Sequence, residues 1–317
     1  MLVDLKPQEL YQYTGSSPCP EDIDVFWDNA ITEMEAIDPQ LELKPAITWA
    51  KNLEAFDMYF TGVGGERIYA KYIRPANAAK APVVFTFHGY TGRSWDWFTC
   101  MSYVSQGFCV ASLDCRGQAG KSQDLGGVPG NTMNGQIIRG LDGDSPRDLL
   151  FTKIFLDTAQ LVRIVEKFEE VDPERLYAIG GSQGGGLTLA CAALSPQIKK
   201  AAPSYPFLCD YKRVYEMDMN ERAYRELKDY FRHFDPRHER EDEIFNRLGY
   251  IDVQNIAKRI KAEVLMFTGL MDNVCPPSTQ FAAFNKITSN KKVIFYPEFG
   301  HEGLPDSSEI AMEWFLQ

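Results

Sequence analysis

Ser182 stands in Gly180-Gly-Ser182-Gln-Gly184, straight after the short apolar run Leu176–Ile179 and just before a small-residue apolar segment, Leu187–Leu194. A serine hydroxyl is a weak nucleophile alone; it attacks a carbonyl when an adjacent base takes its proton. Strand, tight turn and helix in that order make a nucleophile elbow, which exposes the serine oxygen at a strained turn. Strain of that kind costs on the order of 1–3 kcal/mol. Glycines two positions before and after the serine let strand and helix approach closely. The pattern also occurs in ordinary glycine-rich turns, so the chemistry depends on a base and an acid elsewhere in the chain.

The sequence has four histidines. His233 and His238 lie in the charged run Phe231–Arg240, which reads as a solvated or salt-bridged face. His88 ends the apolar run Pro82–Phe87 and opens His88-Gly-Tyr90-Thr-Gly-Arg93, where it is placed to shape a loop. His301 follows the apolar run Val293–Tyr296 through Pro297-Glu-Phe-Gly300 and precedes a closing helical segment. With the order Ser, Asp, His along the chain, His301 is the expected base and Asp272 the expected acid. Asp272 leaves the run Val264–Phe267 through Thr268-Gly-Leu-Met271, at the end of a strand. Its carboxylate would hold the imidazole tautomer and stabilise the imidazolium that forms. Asp306 is a weaker candidate, since a helix N-cap role explains it. The developing oxyanion needs two backbone N–H donors, expected from Gln183, next to the nucleophile, and from Tyr90, in the loop after Phe87.

The elements that must position these groups are legible as periodicities. Leu53–Thr61 and Arg67–Arg74 alternate apolar and polar residues around Val63-Gly-Gly65, a β-hairpin. Pro82–Phe87, Phe108–Leu113, Leu176–Ile179, Val264–Phe267 and Val293–Tyr296 are continuous apolar runs, the mark of strands buried on both faces. A further strand is expected near Ala201. Helical spacing marks Asp22–Ile37, Asp96–Ser105, Arg147–Glu170, Ser278–Asn285 and Ile310–Leu316. The layout predicts an α/β-hydrolase fold, a mostly parallel twisted sheet with helices on both faces and an N-terminal antiparallel hairpin. Residues 1–317 form a single domain in this reading, with 1–50 as an N-terminal extension and 207–260 as a helical insertion capping the site. Asp114–Asp144, rich in Gly, Asn and Asp, is a long loop of the kind that is functional or disordered in compact domains.

Composition limits the alternatives. A net charge of −11, with acids spread along the chain, argues against nucleic acid. No apolar run approaches the ~18 residues that span a bilayer, and the first residues lack the basic and apolar regions of a signal peptide. Seven cysteines without a CxxC pair read as reduced thiols, which favours a cytoplasmic location. The histidines are scattered and the glycine-rich segments lack a P-loop lysine, so neither a metal nor a cofactor is expected.

At Arg116-Gly117-Gln118, Gly180-Gly-Ser182-Gln183-Gly184 and His301-Glu302, with His88-Gly-Tyr90 and the segment at Asp272, the chain resembles the acetyl xylan esterase/cephalosporin C deacetylase family. The resemblance implies a serine esterase that removes acetyl groups from short xylo-oligosaccharides and cephalosporins. It implies Ser182, Asp272 and His301 as triad and the Tyr90 and Gln183 N–H groups as oxyanion donors. It also implies a cytoplasmic homohexamer whose sites face an inner cavity, which would favour small acetylated substrates over polymeric xylan. Arg116, Gln118 and Glu302 are expected to brace loops near the site, since a guanidinium and an amide can each anchor several backbone groups. Two other readings stand beside this one. The first is another serine hydrolase on the same fold, such as an acyl-peptide hydrolase or thioesterase; the second is a non-catalytic hydrolase-like binding protein.

Overall fold

Two helices, α1 (Pro7–Leu10) and α2 (Ile23–Glu35), precede the sheet. The buried face of α2 carries Ile23, Phe26, Trp27, Ala30 and Met34, a stripe at helical spacing. The Trp27 ring stacks on Phe155 at 5.8 Å, and its indole N–H donates to the Tyr250 carbonyl at 3.1 Å. The computed structural model describes residues 3–47, 49–126, 136–219 and 222–317.

The sheet elements in chain order are β1 (Glu42–Pro45), β2 (Leu53–Thr61), β3 (Arg67–Pro75), β4 (Ala81–Phe87), β5 (Cys109–Leu113), β6 (Val171–Gly181), β7 (Lys200–Ser204), β8 (Glu263–Gly269) and β9 (Lys291–Tyr296). Between and after them lie α3 (Trp97–Val104), α4 (Leu150–Val165), α5 (Gln183–Leu194), α6 (Tyr211–Glu216), α7 (Arg225–Phe234), α8 (Glu241–Leu248), α9 (Val253–Ile256), α10 (Pro277–Lys286) and α11 (Ser307–Leu316). The strands form one sheet in the order β1-β2-β3-β5-β4-β6-β7-β8-β9. β1, β2 and β3 run antiparallel, β3 meets β5 antiparallel, and β5 through β9 are parallel. This is an α/β-hydrolase fold.

Alternate side chains enter separate cores. Val83 and Phe85 of β4 and Leu176 and Ala178 of β6 join the core that holds α2, α4 and α5. Val84, Tyr177 and Ile179 face α3 and α11. Apolar on both faces, these strands had to read as continuous runs. β1 was not anticipated, because all four of its residues are exposed and no alternation marks it. β6 begins ahead of its apolar run, since Val171 pairs with Ala81 before a register shift. The helix expected over Arg147–Glu170 is shorter: a 3-10 turn, Pro146–Asp148, precedes α4.

The insertion between β7 and β8 carries α6 to α9. The N-terminal extension is tied to it, with Asp210 accepting from the Tyr13 hydroxyl at 2.7 Å and the Ser17 N–H at 2.8 Å. Part of the Asp114–Asp144 loop, residues 127–135, lies outside the described residues; beyond it Ile137, Ile138 and Leu141 are buried. Among the described residues no helix is long and apolar enough to cross a membrane.

Candidate active site

Ser182 sits between β6 and α5 with φ 57° and ψ −121°, a conformation non-glycine residues adopt only when their surroundings enforce it. Three backbones converge there. A Cβ on Gly184 would lie 2.1 Å from the Phe87 carbonyl oxygen of β4, and one on Gly180 would lie 2.6 Å from the Gly184 carbonyl. The motif's glycines are therefore required by contact between β4, β6 and α5. The Ser182 backbone is held from both directions: its N–H donates to Ser204 at 3.0 Å, and its carbonyl accepts from Phe207 at 3.0 Å.

The carboxyl ends of β8 and β9 bring Asp272 and His301 to the serine. His301 Nε2 lies 3.0 Å from Ser182 Oγ, and Nδ1 lies 2.8 Å from Asp272 Oδ2. Asp272 is fully buried, and its other oxygen accepts from the Val274 and Cys275 N–H groups, each at 2.8 Å. With Asp272 accepting, the proton of neutral His301 resides on Nδ1 and Nε2 is left to accept from the serine hydroxyl. Tyr205, forced to φ 33°, packs its ring 4.8 Å from the imidazole. Glu302 accepts from the Gly300 N–H at 3.1 Å, within the loop that carries His301. Asp306 occupies the N-cap position of α11 in a left-handed conformation, but its side chain makes no capping hydrogen bond.

Gln183 is the first residue of α5, so its N–H has no carbonyl one turn back. The Tyr90 N–H donates to no other described residue. Side chains in the neighbouring loops are pinned. Gln183 and Gln118 exchange amide hydrogen bonds of 2.7 and 3.1 Å. Arg116, fully buried, forks onto Asp157 at 2.6 and 2.8 Å, reaches the Val63 carbonyl at 2.9 Å and lies 3.0 Å from Glu66. His88 donates through Nδ1 to the Gly89 carbonyl at 2.8 Å and accepts at Nε2 from the Cys115 N–H at 3.0 Å, and burial holds its pKa below the ordinary range. It thus joins the loops after β4 and β5 as a neutral ring. His238 stacks on Phe231 and pairs with Glu241 at 2.8 Å, while His233 is exposed.

Among the described residues, metal-capable side chains converge at Asp272, Cys275 and His301, with donor atoms within 4.8 Å of one another. Asp272 and His301 already hydrogen-bond each other there. Burial, with the Asp272 charge adding to it, drives the Cys275 thiol pKa well up, away from the thiolate that ligation requires.

Sequence reasoning missed Glu226, in the first turn of α7. It accepts from the Tyr90 hydroxyl at 2.6 Å and from the Ile138 N–H at 3.0 Å. The same hydroxyl accepts from the Gln136 N–H at 3.0 Å. Burial pushes the Glu226 carboxyl up to about 7. The Tyr90 ring packs on Phe207 at 5.6 Å, and Phe207 on Tyr224 at 4.4 Å, forming an aromatic wall beside the elbow. The available signal was an acid one residue before Leu227 and four before Tyr230, at the border of a helix's apolar stripe.

Sheet order, elbow and the Ser182–His301–Asp272 chain are those of an α/β-hydrolase. Acylaminoacyl peptidase from Pyrococcus horikoshii shares that fold, at 18% identity and a TM-score of 0.59, covering 84% of this chain and 41% of that one. The chain belongs to the acetyl xylan esterase family, whose profile (acetyl xylan esterase, AXE1) matches residues 1–317. It is 55% identical to acetyl xylan esterase 1 from Thermoanaerobacterium sp. JW/SL YS485, covering 99% of this chain and 98% of that one with a TM-score of 0.97. Against the acetyl xylan esterase from Paenibacillus sp. R4 the identity is 34%, the coverage 98% and 99%, and the TM-score 0.93. Acetyl esterase Axe7A of Xylanibacter ruminicola is 26% identical over 321 residues, 98% of this chain and 70% of that protein. The protein is a carboxylic ester hydrolase of the acetyl xylan esterase kind.

Proposed function

We propose that this esterase deacetylates small substrates, acetylated xylo-oligosaccharides and cephalosporin C among them, through a Ser182–His301–Asp272 triad and an acetyl-enzyme. Ser182 Oγ attacks the acetyl carbonyl while His301 Nε2 takes its proton. The Tyr90 and Gln183 N–H groups receive the oxyanion, and His301 returns the proton to the departing alcohol. Water then adds to the acetyl-enzyme, with His301 again as base, and acetate leaves. Asp272 keeps the imidazole in the tautomer that accepts from serine. Arg116, Gln118 and Glu302 brace the surrounding loops.

The observation that carries this reading is the unbroken hydrogen-bond chain, 3.0 Å and 2.8 Å, from a strained serine to a carboxylate buried and oriented by two backbone donors. Ser182→Ala is expected to fold normally and lose at least ~10³-fold in kcat on p-nitrophenyl acetate; substantial residual turnover defeats the assignment. Trapped early turnovers of the unsubstituted enzyme carry one acetyl group on Ser182. A p-nitrophenyl series from acetyl to octanoyl separates a deacetylase, with a steep fall after the shortest acyl groups, from a thioesterase-like enzyme. Support for a cytoplasmic homohexamer comes from the family resemblance, and light scattering on purified protein tests the hexamer by mass.

A further inference from the structure

We propose that Glu226 is a positioning residue for the oxyanion hole, making the geometry of the Tyr90 loop depend on the docked insertion helix α7. The inference rests on Tyr90 supplying an oxyanion donor, as proposed above.

Three segments that are remote in sequence meet on one carboxyl group. Tyr90 comes from the loop after β4, Gln136 and Ile138 from the end of the long loop, and Glu226 from α7. Glu226 Oε1 takes the Tyr90 hydroxyl proton at 2.6 Å and Oε2 takes the Ile138 N–H at 3.0 Å. The Tyr90 oxygen in turn accepts from Gln136 at 3.0 Å. The phenol is therefore fixed as donor in one direction and acceptor in the other.

Glu226 is 4% exposed and has no ion-pair partner among the described residues. A buried acid left without a cation is costly, and a polar contact to a phenol gives less compensation than a guanidinium. Tyr224, two residues ahead, reinforces the grip by packing on Phe207, which itself touches the Tyr90 ring. Displacing α7 would withdraw the hydrogen-bond acceptor and this aromatic support together. The Tyr90 main chain, whose N–H has no other described partner, would then lose the anchor that aims it.

Oxyanion stabilisation acts in the transition state and leaves ground-state binding almost untouched. Glu226→Leu, Tyr90→Phe and the double variant should be compared on p-nitrophenyl acetate, with melting curves and the rate of fluorophosphonate labelling at Ser182. Each single variant is expected to lower kcat by about 10- to 100-fold, less than outright loss of an oxyanion donor, with KM within about twofold. Labelling slows in parallel, because the phosphonyl oxygen occupies the same hole. The double variant is expected to lose no more than the worse single one, since both break one contact.

Multiplicative losses, or a folded single variant with unchanged kcat, would overturn the proposal. If Glu226→Leu fails to fold, Tyr90→Phe decides alone, as it removes only the hydroxyl. Failure of the underlying mechanism looks different: the unsubstituted enzyme itself would not be labelled at Ser182.

Discussion

Arg116 and Glu226 are both buried ionisable groups in the loops around the expected oxyanion donors. Arg116 lies two residues before Gln118, whose amide locks onto Gln183, while Glu226 grips the Tyr90 phenol directly. The guanidinium is met by the Asp157 carboxylate in a two-bond fork, with Glu66 beside it. The carboxyl of Glu226 is met by a phenol and a backbone N–H. Burial works against the Arg116 charge, but the Asp157 and Glu66 carboxylates outweigh it and raise its pKa, so the Arg116 side of the loop is a fixed brace. A lone buried acid, raised to about 7, changes its charge within that range. One of the two proposed oxyanion donors is thus backed by a constant charge and the other by an adjustable one.

The harshest way to break this contrast is Asp157→Ala, which removes the two-bond fork and leaves the buried Arg116 with Glu66 as its remaining counter-charge. It should destabilise the protein by about 3–5 kcal/mol, read as a melting point lower by roughly 10 °C. A melting point within error of the parent would mean that the fork is dispensable.

Glu226→Gln tests the adjustable side through pH. Burial pushes the folded carboxyl up to about 7 against about 4.5 in the unfolded chain, so between those values the folded state holds a proton that the unfolded state has released. Its stabilising contribution is therefore complete below about pH 4.5 and is lost as pH rises through 7. Glutamine lacks this loss, so the variant should gain on the parent from pH 5 to pH 8 by on the order of 1–3 kcal/mol. Urea denaturation at the two pH values measures it; a constant difference would place the Glu226 pKa near that of an ordinary exposed acid. Tyr90 and Tyr211 are the titratable neighbours that sense this charge, and both have pKa values raised by burial first.

Gln118→Ala removes the amide pair that holds Gln183 and should cost about 1 kcal/mol of transition-state stabilisation. It is read as a several-fold fall in kcat with the melting point almost unchanged. The smallest effect belongs to His238→Ala. It hydrogen-bonds Glu241 on the outer face of the insertion, and stability should move by under about 0.5 kcal/mol with activity intact. A large activity loss there would show that the insertion acts on the site through its outer face as well.

Legibility followed the range of the physics. Strands buried on both faces produce apolar runs, so β4, β5, β6, β8 and β9 were visible, and with them the strand ends that carry Tyr90, Ser182, Asp272 and His301. β1 was hidden because an exposed strand carries no periodic signal. The helix expected over 147–170 ends earlier because Phe168 is apolar for a tertiary reason, packing on the Tyr72 ring beyond the end of α4. Arg116 was recognised as important without its partner, since nothing near it in sequence announces Asp157.

By itself the sequence determined the order and spacing of serine, acid and histidine, because each follows an apolar run that only a buried strand explains, and a strand end is a local property. Tertiary structure alone decided the 3.0 and 2.8 Å contacts among them, and which residues stand behind the oxyanion loop. Tyr90 and Glu226 are 136 positions apart. Whether an acid is solvated or buried against a phenol depends on how the insertion packs, and no local pattern of residues encodes that.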